Sequence, residues 1–394
     1  MLRRRAYRGW VSVVARDARR RWLLVGAGVV ALCLLPAIVA VLPARAGQTD
    51  PVRLRAAMLA SATLPYQGYV DVQARMDVLD LPDLGEVAGL FGGTSRLRAW
   101  YASPQAWRVA VLEPTGERDI YRTARGTYQW DFERNLVTEV VGDVPVRLPW
   151  AADLLPPDLA RRLLATAGEE EAAAVTTIDT RRVAGVAAPG LRLRPSDADT
   201  TIGQVDVWAD PATGLPLQVE VTGRGGRTPL IRSRFVEVSR SRPAADALRP
   251  PQPASAGFTT TSEPDVLAAI ASAVSAVGLP VSLAGRPRIP STAGLFSVGG
   301  VAGYRTGLSR FVVIALPRGY GQRTLQAVED AGGAPVRFDG GHGFEIAVPL
   351  LSTLVVRRDG DRPGPRTFLL AGTVTSAVLR EAGAEVSRLE VGPR

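Results

Sequence analysis

Between Arg96 and Glu139 the chain reads RLRAWYASPQAWRVAVLEPTGERDIYRTARGTYQWDFERNLVTE, and this run constrains the fold more than any other. Trp107, Val109 and Val111 alternate with Arg108, Ala110 and Leu112, the period of two of a strand whose faces differ. Pro114-Thr115-Gly116, Arg125-Gly126 and Glu133-Arg134-Asn135 are turn sequences that cut the run into short strands. The implied unit is an antiparallel meander that carries Trp100, Trp107 and Trp130. Such a sheet needs a cover for its apolar face, and that cover is either protein or ligand.

The chain has 394 residues and a formal charge of +9, a balance that points to nucleic acid until the charge is located. Residues 1–21 hold eight arginines against Asp17 alone, and the rest of the chain carries 39 basic and 37 acidic groups. A nearly neutral body does not support a nucleic-acid footprint. Next comes Trp22–Leu42, WLLVGAGVVALCLLPAIVAVL, uncharged throughout. A helix of that length reaches about 30 Å, the thickness of a bilayer core, and Pro36 is tolerated inside such helices. The arginines before it predict a cytoplasmic tail, a single-pass anchor and an extracytoplasmic body. The rival is a cleaved signal peptide, since Ala44-Arg45-Ala46 fits a small-x-small cleavage site, but the apolar run exceeds the usual core of roughly 7–15 residues. Cys33 lies inside that run without a lipobox before it. As the lone cysteine it excludes an intramolecular disulfide.

Composition removes several chemistries. Every one of the 47 basic residues is arginine, so a Walker loop, a Schiff base and a pyridoxal phosphate site all lack their lysine. His342 is the single histidine, in the turn-like Asp339–Gly343, and zinc clusters cannot be assembled around it. No G-x-S-x-G elbow occurs. Asp197-Ala198-Asp199 and Asp359-Gly360-Asp361 lack the ligand ladder of a calcium loop, and Gly299, Gly300, Gly303 and Gly307 read as turn glycines. The expectation is a protein that is not an enzyme and needs no metal or cofactor.

Along the chain, Val52–Ala62 reads as a short helix and Tyr66–Val72 as a first strand, continued by Gln73–Leu79. Leu79–Thr94 is apolar and glycine-rich, and reads either as a helix packed on the sheet or as a flap over a groove. Ala152–Ala167 carries leucines at helical spacing. Strands follow at 175–179, 181–184, 190–193, 203–209, 215–221 and 231–238. The proline- and alanine-rich segment from Arg242 reads as a linker. Beyond it, a capped helix starts at Ser262-Glu263-Pro264-Asp265, and mixed strands and helices run to the end. The expected layout is a basic tail (1–21), a transmembrane helix (22–42), a first domain (48–242), a linker (243–262) and an α+β domain (263–394).

The first domain resembles the family of the lipoprotein carrier LolA and the sigma-E regulator RseB, also called MucB, in its actinobacterial form. The resemblance rests on Tyr66-Gln67-Gly68, Arg98-Ala99-Trp100-Tyr101 with Trp107-Arg108-Val109, Tyr128-Gln129-Trp130-Asp131, Val183-Ala184-Gly185, and Val205–Asp210 closed by Thr213–Leu217. Together these span roughly residues 50–240. The resemblance implies an α+β fold: an antiparallel half-barrel with covering helices and a cavity for acyl chains, then a smaller α+β domain. It also implies an anti-sigma factor as partner.

The leading expectation is a membrane-anchored binding protein that holds a lipid or lipoprotein acyl chain and contacts a protein partner. Trp100, Trp107, Trp130, Trp208 and Tyr128 are the expected lining, with Leu84, Leu90 and Phe91 as flap. The alternative is an interaction module without lipid, contacting an anti-sigma factor or a transporter.

Overall fold

The computed structural model describes residues 50–76, 89–141, 149–167, 174–251, 256–262, 278–290, 300–360 and 366–389. The segment 22–42, residue Leu84 and the helix expected from Glu263 lie outside them. Among the described residues no helix is long and apolar enough to cross a membrane.

Helix α1 (Pro51–Ala60) leads into β1 (Tyr66–Ala74), and the meander follows as β2 (Thr94–Ser103), β3 (Ala106–Leu112), β4 (Glu117–Thr123), β5 (Gly126–Asp131) and β6 (Leu136–Val141). Helix α2 (Pro156–Thr166) precedes β7 (Thr176–Val183), β8 (Val186–Leu193), β9 (Ile202–Ala209), β10 (Pro216–Gly223), β11 (Ile231–Ser239) and β12 (Gly257–Ser262). They form one 12-stranded sheet in the order β12-β6-β5-β4-β3-β2-β1-β11-β10-β9-β8-β7. All pairs are antiparallel except β12–β6.

The join between β1 and β11 explains the glycine of Tyr66-Gln67-Gly68. A Cβ at Gly68 would sit 2.3 Å from the Glu237 carbonyl oxygen, so no other residue fits without moving the strand. The two helices cover one face of the sheet. Leu54 and Met58 of α1 and Ala160 and Leu164 of α2 pack with Leu191, Val205, Val207, Val219 and Val221. Each leucine, valine or methionine buried in this way contributes about 1.5–3 kcal/mol. The helix expected at 152–167 is split: a 3-10 turn holds Ala151–Leu154, and α2 starts at Pro156 because proline suits a first helical position.

The second lobe opens with the short pair β13 (Ser282–Leu283) and β14 (Arg286–Pro287). Then come β15 (Val301–Thr306), β16 (Ser309–Leu316), helix α3 (Arg318–Asp330), β17 (Ala334–Phe338), β18 (Gly341–Val348), β19 (Leu351–Arg358), β20 (Thr367–Gly372) and helix α4 (Ser376–Arg388). The sheet order is β15-β16-β20-β19-β18-β17. Alternation along β19 splits its faces: Leu354 and Val356 pack with Leu379, Ala382 and Val386 of α4, while Val355 packs with Leu325 and Val328 of α3.

Several expectations change. The segment read as a linker ends in β12, which lies parallel to β6 as the sheet's edge. A 3-10 turn within it, Ala245–Leu248, packs over β3 and β4. Gly303, read as a turn glycine, lies inside β15 opposite Val312, whereas Gly307 turns the hairpin with a φ of 54°. His342 lies in β18 rather than in a turn, with Nδ1 3.0 Å from Asp359 Oδ1.

The lobes are joined through side chains and backbone. Asp197 and Asp199 do not form a calcium loop; both carboxylates accept from Arg286 Nη2, at 3.2 and 3.1 Å. Thr200 bridges to Val374, and the Thr201 N–H donates to the Thr373 carbonyl oxygen at 3.2 Å. Leu308 and Leu350, at hairpin tips of the second lobe, are buried within the apolar cluster of the first.

Candidate functional site

A groove of about 220 Å³ opens between β2–β3 and the segment that leads into α2. Its floor is set by strand register. Tyr101 stands opposite Trp107 and Ala99 opposite Val109, so the four side chains share the helix-bearing face. Ala152 and Leu155 close the far wall, and Asp153, Asp158 and Arg162 form the rim.

The rim is fixed by its own pairs. Asp153 accepts from the Trp150 N–H at 2.8 Å and pairs with Arg162, and Asp158 pairs with Arg161 at 2.7 Å. Burial pushes the Asp158 carboxyl above the usual carboxylate range, against the pull of Arg161. Beneath the groove Tyr66 stacks on Tyr101 with centroids 4.9 Å apart and meets Phe235 edge-on at 5.7 Å. The Tyr101 hydroxyl donates to the Ala62 carbonyl oxygen at 2.6 Å, which ties the floor to the 3-10 turn Ser61–Thr63 that follows α1. Among the described residues the buried Tyr66 hydroxyl has no hydrogen-bond partner.

Of the expected lining residues, Trp100 and Trp107 both border the groove, and the others lie elsewhere. Trp107 lies on the groove side, packed against the buried cluster that holds Tyr101 and Val109. Trp100 pairs in register with Arg108, which puts its ring on the opposite face of the sheet. There Arg98 and Arg108 stand 4.9 and 4.3 Å from its centroid. Trp130 and Tyr128 point to that same opposite face, because their register partners are Asp119 and Tyr121. Trp208 is core: 3% exposed, with Nε1 donating to the Asp179 carbonyl oxygen at 2.9 Å and Arg181 3.8 Å from its ring. Leu90 and Phe91 are half-buried against the apolar clusters, and the Phe91 carbonyl oxygen accepts from the Met76 N–H at 2.9 Å. Helical spacing alone identifies the groove walls Ala152 and Leu155 only as helix residues. Their nearness to the meander is a long-range contact that no local pattern carries.

The opposite face holds a second arrangement that the sequence does not announce. Arg108 lies 4.3 Å from the Trp100 ring and 5.2 Å from Tyr121, and its Nη2 donates to Glu117 Oε1 at 2.6 Å and Asp119 Oδ2 at 2.8 Å. The Tyr121 hydroxyl also donates to Asp119 Oδ2, at 2.9 Å. Asp119 is 2% exposed, and its buried Oδ1 has no hydrogen-bond partner among the described residues. Burial pushes its carboxyl up to about 7 despite the attraction of Arg108, with Glu117 adding to the rise. Among the described residues no group of acidic, histidine or cysteine side chains is placed to hold a metal ion.

No family model matches the chain, and no curated protein matches it. Solved structures do. The chain is similar to MucB. The MucA/MucB complex of Pseudomonas aeruginosa matches at 18% identity over 88% of this chain and 99% of that one, with a TM-score of 0.46. An uncharacterized conserved protein of Thermus thermophilus matches at 14% identity over 53% of this chain and 98% of its own, with a TM-score of 0.32. A LolA superfamily protein of Nitrosomonas europaea matches at 11% identity over 52% of this chain and 99% of its own, with a TM-score of 0.23. MucB and the LolA superfamily are the proteins that the motifs of residues 50–240 resemble.

Proposed function

We propose that this chain is an extracytoplasmic binding protein, anchored by residues 22–42, that takes the end of an apolar chain into the groove between β2–β3 and α2. The observation that carries this reading is the groove's mixed lining: Ala99, Tyr101, Pro104, Trp107, Val109, Ala152 and Leu155 supply apolar surface beside Trp100, and Arg108, Asp153, Asp158 and Arg162 supply the polar part. Each methylene buried there contributes about 0.8 kcal/mol, so no polar motif is needed for affinity. A lipid or lipoprotein acyl chain supplies that chemistry.

The test uses the asymmetry of the two faces. Trp107→Ala is expected to weaken binding of a fluorescent fatty acid about tenfold, whereas Trp130→Ala on the opposite face leaves it within about twofold. Equal losses for both variants, or no binding by the parent protein, reject the groove as the ligand site. Lipid extraction and mass spectrometry of the purified protein identify the native occupant.

A second reading is favoured by the groove's size. At about 220 Å³ it falls below the roughly 300–1,000 Å³ of typical small-molecule sites. On that reading the two joined lobes hold a protein partner, as MucB holds MucA in the solved complexes, and the partner is an anti-sigma factor or a transporter. Affinity capture with the full chain, in the presence and absence of added fatty acid, separates the two readings.

A further inference from the structure

The hairpin β15–β16 sets two like charges side by side. Its turn, Gly307-Leu308, puts Thr306 opposite Ser309 and, one step further from the tip, Arg305 opposite Arg310. Directly opposed residues have Cβ atoms about 5 Å apart, and like charges at that spacing destabilise a sheet. Both side chains are exposed, and neither forms an ion pair among the described residues. Elsewhere the protein answers its arginines: Arg108, Arg192, Arg232 and Arg380 each meet a carboxylate at 2.6–2.9 Å.

A third arginine comes from the other lobe. The tip residue Leu308 is buried in the cluster that holds Ala160 and Leu164 of α2, and α2 also carries Arg162. The charge of Arg162 reaches the hairpin. Burial pushes the Arg310 guanidinium below its usual range, Arg305 and Arg162 push it the same way, and no carboxylate among the described residues offsets them. Arg162 pairs with Asp153 and is still 59% exposed. The backbone that carries Arg310 is fixed to both lobes through Thr373. That residue donates its N–H to the Arg310 carbonyl oxygen at 2.9 Å and its hydroxyl to the Leu308 carbonyl oxygen at 2.7 Å. Its own carbonyl oxygen accepts from the Thr200 hydroxyl at 2.9 Å and the Thr201 N–H at 3.2 Å.

We propose that Arg305 and Arg310, with Arg162 beside them, form a binding site for a phosphate-type oxyanion that sits across the joint between the lobes and fastens it. The guanidinium fork presents paired N–H donors that match phosphate oxygens two at a time, so the site selects an oxyanion over a simple halide. A doubly charged ion also balances the two arginines that no carboxylate answers. The charges lie at one point of the hairpin rather than along a track, which fits a single compact anion. Because the backbone beneath Arg310 is already fixed, little ordering opposes binding. The site is separate in chemistry from the apolar part of the groove, and it needs no ligand there.

Calorimetry of the full chain in a mild detergent tests this. Thermal scans compare about 10 mM phosphate with chloride of equal ionic strength, a level at which general stabilisation by phosphate is small. Phosphate is expected to raise the Tm of the parent protein by about 2–3 °C, the shift for a ligand at about ten times its Kd. Titration with inorganic phosphate is expected to show one site, and Arg305→Gln and Arg310→Gln each to weaken it at least tenfold. Neither variant is expected to lower the Tm in chloride, since each removes a like-charge contact. Arg305→Glu supplies the missing carboxylate beside Arg310, and is expected to raise the Tm in chloride and to abolish the response to phosphate. Glycerol 3-phosphate in a second arm distinguishes a free ion from a phosphate carried on a larger molecule, and binding of either supports the site. A parent Tm that is equal in phosphate and chloride, with no heat of binding for either ligand, overturns the proposal. So does a phosphate response that survives both Arg305→Gln and Arg310→Gln.

Discussion

Asp119→Asn is expected to remove most of the protein's stability change between pH 5 and pH 8. The carboxyl is 2% exposed and titrates at about 7 in the folded chain against 3.8 in its absence. Its pKa is raised, so the folded state holds a proton that the unfolded state releases across that window. The contribution is complete below about pH 4 and is lost as pH rises through 7. At about 1.4 kcal/mol per pH unit, the parent protein should lose roughly 2–3 kcal/mol between pH 5 and pH 8, or about 5 °C in Tm. Asparagine has the shape of the protonated acid and cannot ionise. Arg108 keeps Glu117 at 2.6 Å, so its charge is not stranded. The variant should therefore be about 2 kcal/mol more stable than the parent at pH 8, with a flatter profile. Thermal melts at pH 5, 6, 7 and 8 decide it. A parent slope that persists in the variant assigns the titration elsewhere. Trp100 fluorescence should report the same transition, because Arg108 lies 4.3 Å from its ring.

That network shows where sequence reading stops. The alternation of Trp107, Val109 and Val111 with Arg108, Ala110 and Leu112 marks two faces correctly, and the three meander turns lie where glycine, proline and asparagine put them, with Asn135 at a φ of 49°. Period two cannot say which face meets the helices, and Trp100 and Trp107 differ only in parity. The strands at 175–179 and 181–184 are one strand, β7, with a register shift between Ile178 and Arg181 that reads as a break in the pattern. Strand β12 is hidden by composition, because Gly-Phe-Thr-Thr-Thr-Ser follows a proline- and alanine-rich stretch and pairs with a β6 more than a hundred residues earlier. Strand β15 is masked by glycines. The groove is beyond reach for a related reason: its wall and floor come from β2–β3 and from Ala152 and Leu155, which local spacing assigns to separate elements.

Arg286→Ala is expected to cost about 3 kcal/mol and to split one unfolding transition into two. Arg286 is 6% exposed, and each arm of its guanidinium is used: Nε donates to Ser309 Oγ at 3.1 Å, Nη1 to the Ala284 carbonyl oxygen at 2.9 Å, and Nη2 to Asp197 and Asp199. Removing one partner of a buried pair typically costs about 3–5 kcal/mol, because the other charge is left uncompensated. The lower end applies here, since Asp197 and Asp199 are 18% and 52% exposed and water can reach them. Asp197 sharpens the test. Burial pushes its carboxyl up, but the Asp199 N–H, the Ser309 hydroxyl and Arg286 together hold it below the usual range. A depressed carboxyl stabilises the fold above its unfolded pKa and loses that effect as pH falls, so acid should weaken the joint in the parent protein and somewhat less in Arg286→Ala, where the Asp199 N–H and the Ser309 hydroxyl still hold Asp197. The backbone links at Thr200 and Thr201 and the buried tips of Leu308 and Leu350 remain in the variant, which is why the lobes should loosen rather than separate. Differential scanning calorimetry of both proteins at pH 4 and pH 7 checks the cost and the cooperativity together. A single, unshifted transition in Arg286→Ala means that the apolar tips alone couple the lobes.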